Sequence, residues 1–271
     1  MTASFHLSPP GHPGRPRFAG GLAILALAAG GPLGAQVTES PQTIAPGRFL
    51  LRMDALSLSF DRHRPEDDGT RFTTVAVGRA FLSTGLTPQL DAQMGAELFV
   101  QARTKRSGST QAHSGTGDLY FRTKWSFWRD QSLGAAAALI PYIKVPTSTG
   151  GVGNGSTEGG LIVPWALSLG GGFEAGAMAE WDVLRNDANN GYDSQWYASG
   201  VFSRALTQSV TVYGESTLTA TSASSSRTAL TMGGGVTVKL TPNFRVDYAL
   251  NAGLSRGAAD WNPVLRINWE F

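Results

Sequence analysis

The chain of 271 residues contains no cysteine. That excludes a disulfide-stapled scaffold and any thiolate metal centre. Charged residues make up only 15% of it, and nowhere do they gather into a basic run interleaved with aromatics. A nucleic-acid surface is therefore not expected. A long apolar run is missing too. The uncharged stretch Phe18 to Ala35 has its apolar centre at Leu22 to Ala29, too short and too glycine-flanked for a spanning helix. Without such a helix, only a closed β-barrel could place this chain across a membrane.

What the first 35 residues do contain is Arg15 and Arg17 with no acid, a short apolar middle and small residues toward Ala35. That order reads as a secretory signal peptide over 1–35, cleaved after Ala35. Its removal lowers the 22 bases to 20, equal to the 20 acids, all of which lie later. The alkaline isoelectric point thus implies nothing about acidic partners. Residues 36–48 are expected to form a periplasmic N-terminal segment, too short for a separate plug domain. Residues 49–271 are expected to form the folded unit.

The last ten residues, "NPVLRINWEF", alternate. Leu265, Ile267, Trp269 and Phe271 share one parity; Val264, Arg266, Asn268 and Glu270 share the other. Successive side chains of a strand point to opposite faces. The same pattern recurs in twelve strand-like runs from 49–60 to 261–271, with no sustained helical period between them. In the third run Leu90, Ala92, Met94, Ala96, Leu98 and Val100 share the apolar face. In the fourth, Leu119, Phe121, Trp125 and Phe127 oppose Asp118, Tyr120, Arg122, Lys124 and Ser126. Connections alternate between short ones such as "GG" and "TP" and longer polar ones such as "PTSTGGVGNGSTEG". A soluble sandwich has no reason to alternate in this way. The expected fold is all-β: a transmembrane antiparallel up-and-down β-barrel of about twelve strands, in the outer membrane of a Gram-negative cell, with short turns periplasmic and long loops outside. Membrane lipid would cover its outer face.

Charges on the inner face would line a lumen. The expected lining set is Arg52, Asp91, Glu97, Asp118, Arg122, Lys124, Lys144, Glu180, Asp182, Glu215, Lys239, Arg245, Asp247 and Arg266. Mixed signs permit two outcomes, a conducting pore or a lumen filled by cross-strand ion pairs. Twelve strands lie between the side-chain-filled barrels of about eight and the open channels of 16–18. Pro141 and Pro164 flank the glycine-rich connection on neighbouring strands, Pro141 outward and Pro164 inward. Proline cannot donate to a ladder, so the pair marks a candidate lateral opening for apolar molecules.

Catalysis finds little support. His63 and His113 fall in separate predicted loops, so no base stands beside a strand-borne nucleophile. Glu180 and Asp182 share a face, as lumen charges ordinarily do. "GGVGNGSTEGG" precedes a strand, so it is no dinucleotide loop, and reads as a mobile surface loop. "DANNGYD" lacks the glycine a calcium loop needs at its turn. No enzyme activity, metal or cofactor is expected.

Four stretches, "TESPQTIAPGRF", "SGTGDLYFRTKW", "YIKVPTSTGGVGNGSTEGGLIVPWALSL" and "GYDSQWYASGVFSRAL", together resemble an outer-membrane transporter family labelled "MetA-pathway of phenol degradation". The resemblance implies a channel for small solutes, with a link to aromatic compounds. The terminal Phe271 resembles the ending by which such proteins engage the barrel-assembly machinery. A closed structural or surface-interaction barrel is the alternative, and a barrel enzyme stands behind it.

Overall fold

A computed structural model describes residues 37–61, 70–106, 108–186, 189–222 and 228–271. The leader expected over 1–35, His63 and the "PEDDG" stretch lie outside the described residues.

Thirteen strands follow one another, and no helix occurs among the described residues: β1 (Phe49–Asp61), β2 (Arg71–Thr87), β3 (Leu90–Arg106), β4 (Ser109–Gly115), β5 (Leu119–Asp130), β6 (Ala135–Val145), β7 (Glu158–Gly170), β8 (Phe173–Arg185), β9 (Tyr192–Ala205), β10 (Val210–Thr221), β11 (Ala229–Thr241), β12 (Phe244–Gly253) and β13 (Trp261–Glu270). All pairings between them are antiparallel; chain neighbours pair except that β5 passes over β4 to pair with β3, and β13 returns to β1. The closing seam runs from Leu50–Glu270 to Phe60–Trp261. At its end Phe49 and Phe271 exchange two backbone hydrogen bonds of 2.9 Å and stack their rings at 5.7 Å. Closure leaves no unpaired sheet edge along the wall.

The barrel has twelve wall positions, because β4 and β5 share one. Leu90–Ala96 of β3 pair with β5, and Val100–Arg106 pair with β4. The stretch expected to be a loop after the third strand is instead a hairpin extension that lifts β3 and β4 above the wall.

Polarity is inverted relative to a soluble protein. All seven tryptophans are exposed on the outer face, while Asp247, Asp91, Asp182 and Lys124 are at most 2% exposed. The exposed aromatics cluster toward both ends of the strands. Trp125 with Phe127, and Trp269 with Phe271, lie near the short turns. Trp181 with Trp196 lies near the long connections. Two such girdles around an apolar band are the signature of a wall that sits in a bilayer.

One expected facing is corrected. Val100 is buried, not outward. Leu98 and Phe99 are both exposed, so the alternation of β3 slips by one residue between Glu97 and Val100. The neighbouring strands slip at the same height. Gly78 adopts φ +69° beneath the Leu98 side chain, and β1 bulges between Asp54 and Leu56. Positive φ is the conformation glycine tolerates and branched residues do not. Above this line Ser57, Ala76 and Val100 face inward; below it Arg52, Phe81 and Gly95 do.

Met94 lies near mid-strand on the outer face. Met94→Arg is expected to destabilise the barrel by about 2–4 kcal/mol, whereas Leu133→Arg in the short β5–β6 turn should cost under about 1 kcal/mol. Urea unfolding in lipid vesicles, followed by tryptophan emission, measures both.

Candidate functional site: an occupied lumen

The inner face carries what the alternation predicts. Arg122, Lys124, Asp91, Glu180, Asp182, Glu215, Asp247 and Arg266 are all buried there. Glu97 pairs with Arg79 at 2.8 Å. Lys239 and Arg245 sit opposite one another by the short β11–β12 turn, at the mouth of the lumen, where Lys239 is exposed. Arg266 is paired with Asp54 across the closing seam. Asp247 accepts hydrogen bonds from Tyr213 Oη at 3.0 Å and Thr237 Oγ1 at 2.7 Å.

The centre of the lumen is occupied by residues 37–42 of the chain's own N-terminal segment, a stretch whose sequence reads as a periplasmic linker. The segment turns inward at the short-turn rim, where Pro46 bridges Gly85 and Gly47 N donates to Gly85 O at 3.1 Å. A Cβ on Gly85 would stand 2.3 Å from Ile44 O, so the crossing needs a glycine in the wall. Thr43 Oγ1 donates to Pro88 O, and Ile44 N donates to Asp91. Lys124 Nζ donates to Gln42 O at 3.3 Å. Further in, Glu39 meets Arg122 Nη1 at 2.9 Å and Lys124 Nζ at 3.9 Å. The Glu215 carboxylate then accepts Val37 N, Thr38 N and Thr38 Oγ1 at 2.6–2.8 Å. The segment thus crosses from the β3–β5 wall to the β9–β10 wall. Glu39 is 1% exposed. A buried carboxylate is held only where donors and counter-charges surround it, and the lumen supplies both.

The sequence reading missed this because 37–42, "VTESPQ", has linker composition. Its one signal is Glu39, a single acid upstream of a strand set whose inner face carries Arg52, Arg122 and Lys124.

The other end carries an anchored loop. The glycine-rich connection 146–157 was expected to be a mobile surface loop; the structure ties it to the wall. Asp118, in the break between β4 and β5, accepts Thr147 N and Ser148 N at 3.0 and 2.9 Å. Lys144 bridges Asp118 at 2.9 Å and Glu158 at 2.7 Å. Asn154 accepts from Lys144 and donates to Glu158. Charges at the base of the loop thereby become its anchor.

Around the N-terminal segment the lumen has two chemically distinct sides. One is apolar: Ile140, Ile162, Met178 and Tyr197 form a buried cluster, with Val37 and Tyr142 packed on it. The other is cationic, built from Arg52, Arg122 and Lys124. Asp182 accepts Tyr142 Oη at 2.5 Å and Gln195 Nε2 at 3.3 Å, beside Glu180 on the same strand. No group of three or more His, Asp or Glu side chains among the described residues is arranged to hold a metal. His113 lies on β4, exposed and far along the hairpin extension.

Pairing behind the apolar side is interrupted. Between β5 and β6 the paired positions run from Leu119–Val145 to Arg122–Tyr142 and resume at Trp125–Leu139. Between β6 and β7 they run from Ala135–Leu167 to Ala137–Trp165 and resume at Ile140–Ile162. Pro141, exposed, falls in the first interruption; Pro164, buried, falls in the second. Each removes an N–H donor from its ladder.

An inverted-polarity closed barrel with aromatic girdles and a charged lumen defines an outer-membrane β-barrel, its outer surface in contact with lipid. The model of the family described as "Putative MetA-pathway of phenol degradation" matches residues 34–271, and the chain belongs to that family. A comparison with curated proteins gives no match. Among solved structures, the fold is similar to an outer membrane channel from Pseudomonas putida F1, with 12% identity, a TM-score of 0.68, and coverage of 86% of this chain and 98% of that one. It is similar to the translocator domain of the autotransporter NalP from Neisseria meningitidis, with 8% identity, a TM-score of 0.53, and coverage of 84% and 90%. The transport unit of the autotransporter AIDA-I from Escherichia coli has 11% identity, a TM-score of 0.53, and coverage of 91% and 96%.

Removing one partner of the central ion pair should be costly. Arg122→Ala leaves Glu39 facing a depleted cation cluster and is expected to lose about 3–5 kcal/mol. In the double variant with Glu39→Ala the two losses should fall short of additivity by at least about 1 kcal/mol. Equilibrium unfolding in vesicles gives the cycle. Glu215→Ala should in addition expose residues 37–48 to added protease.

Proposed function

We propose that this protein is a passive outer-membrane channel for small solutes, with aromatic or other apolar compounds as cargo, held shut at rest by its N-terminal segment. The observation that carries the reading is the nature of the obstruction. The middle of the lumen is filled by a peptide anchored to the rim at Pro46 and to the walls by polar contacts. Such a segment can leave without unfolding the barrel, whereas wall side chains cannot. The apolar cluster on β6–β9 offers a surface for a non-polar solute, and membership of a family named for phenol degradation agrees with that chemistry.

The lumen charges are the proposed selectivity determinants. Pro141 and Pro164 are the proposed lateral exit, since both interruptions of the ladder lie directly behind the apolar cluster. The C-terminal strand ending at Phe271 is the proposed assembly signal. A closed structural barrel is the competing reading, favoured by the paired charges that hold the segment in place.

Liposome swelling separates the two. Deleting residues 37–42 should raise swelling rates for small solutes by about tenfold, the scale expected when an obstructed state becomes the minor one. A deleted barrel that keeps its heat-modifiable mobility on gels yet admits no solute would establish the closed reading. Pro141→Val with Pro164→Val restores two ladder donors. It should slow the appearance of an apolar fluorescent probe in the bilayer while leaving the swelling rate for a polar sugar unchanged.

A further inference from the structure

We propose that Arg52, Arg122 and Lys124 form a carboxylate-binding site within the lumen, that Glu39 is its tethered occupant, and that the solutes it selects are apolar monocarboxylates. The binding site stands on its own geometry; the word solute rests on the channel reading above.

The first ground is charge. Three cations, one from β1 and two from β5, are 2–5% exposed. All three act electrostatically on one another and on Glu39. The nearby Asp91 carboxylate is taken up by Ile44 N, and Asp54 by Arg266. Asp91 also acts on Lys124, Asp54 on Arg52 and Glu180 on Arg122, but Glu39, brought in on a separate segment, is the carboxylate that acts on all three cations. Buried cations without matching anions are costly, so the cluster favours any anion that reaches it.

The second ground is an unsatisfied donor set. Arg52 Nε and Nη1 are buried and have no hydrogen-bond partner among the described residues, although Arg52 as a whole is 4% exposed. Each of these N–H groups can donate to a carboxylate oxygen. Glu39 meets Arg122 at 2.9 Å, and these two Arg52 donors remain unmatched.

The third ground is preorganisation. The Arg122 guanidinium lies 3.8 Å over the Phe81 ring. The ring in turn lies on Gly95, where a Cβ would come within 2.4 Å of Phe81 Cε1. This layered stack fixes the plane of the guanidinium before any ligand arrives. Stacked arginines of this kind recognise planar anions.

The fourth ground identifies the rest of the ligand. Two residues before Glu39, the Val37 side chain packs on the apolar cluster of Ile140, Ile162, Met178 and Tyr197. The segment therefore presents an apolar group to the apolar side and a carboxylate to the cationic side. A solute that replaces it must offer both, as an aryl or short alkyl carboxylate does. A neutral aromatic satisfies only half of the site, and a small inorganic anion only the other half.

Benzoate and benzamide share a ring and differ in charge, so they make a matched pair of probes. Titration calorimetry on the detergent-solubilised full chain should show benzoate binding at one site. Glu39→Gln removes the competing charge and should tighten benzoate by at least about tenfold, and deletion of residues 37–40 should do the same. Benzamide should bind at least about tenfold more weakly than benzoate in every form, and Arg52→Gln added to Glu39→Gln should cancel the gain. The proposal is overturned if either displaced-segment form, folded by its gel mobility, binds benzoate no better than wild type. It is equally overturned if benzamide binds as well as benzoate. Swelling of liposomes is read separately. Swelling without benzoate binding keeps the channel and removes the site, whereas binding without swelling keeps the site and removes the channel.

Discussion

A backbone in hydrocarbon has no water to satisfy its N–H and C=O groups, so every one must find a partner within the wall. The rest of this structure follows from that constraint. It requires the sheet to close, and closure is made at the seam of β1 with β13, where Phe49 and Phe271 exchange hydrogen bonds. Closure in turn divides the side chains into two populations. Those facing out must be apolar, which is why every tryptophan lies on the exterior. Those facing in are freed from that demand and carry the ions.

Putting ions inside creates a second problem. A lumen of this width excludes most water when side chains fill it, so each charge needs a counter-charge. The wall solves part of this within itself, through Arg266 with Asp54 and Arg79 with Glu97. Near Arg52, Arg122 and Lys124 the wall carboxylates each act on one of the cations, and the N-terminal segment brings in Glu39, which acts on all three. The loop at the opposite end is held in the same way, by Lys144 between Asp118 and Glu158. Obstruction of the lumen is thus an electrostatic consequence of how the barrel distributes its charge. A site held by charge can be opened by a competing charge, which is the basis of the proposed selectivity.

The inner and outer faces were legible in the alternation of single strands. Tyr120, Arg122, Lys124 and Ser126 against Phe121, Trp125 and Phe127 needed nothing beyond period two. Val100 was misread because its facing depends on a slip shared by three strands, and Gly78, which makes the slip possible, lies in another strand. The anchoring of 146–157 was hidden for a related reason: Asp118 and Glu158 become neighbours of Lys144 only once β5 and β7 pair with β6 on either side. Pro141 and Pro164 were readable, because the loss of a donor is a property of the residue and not of its surroundings.

The sequence alone therefore decided what is local and periodic: the twelve wall positions, the sidedness of most wall residues, the short and long ends, and the aromatic rims. These depend on single residues and their immediate neighbours, which a linear reading contains. The tertiary structure decided what is inside. The placement of Glu39 among Arg52, Arg122 and Lys124, and of Val37 on the apolar cluster, comes from a free segment choosing among surfaces that exist only once the cylinder has closed. Long-range electrostatic complementarity has no period in sequence, so only the folded barrel could reveal it.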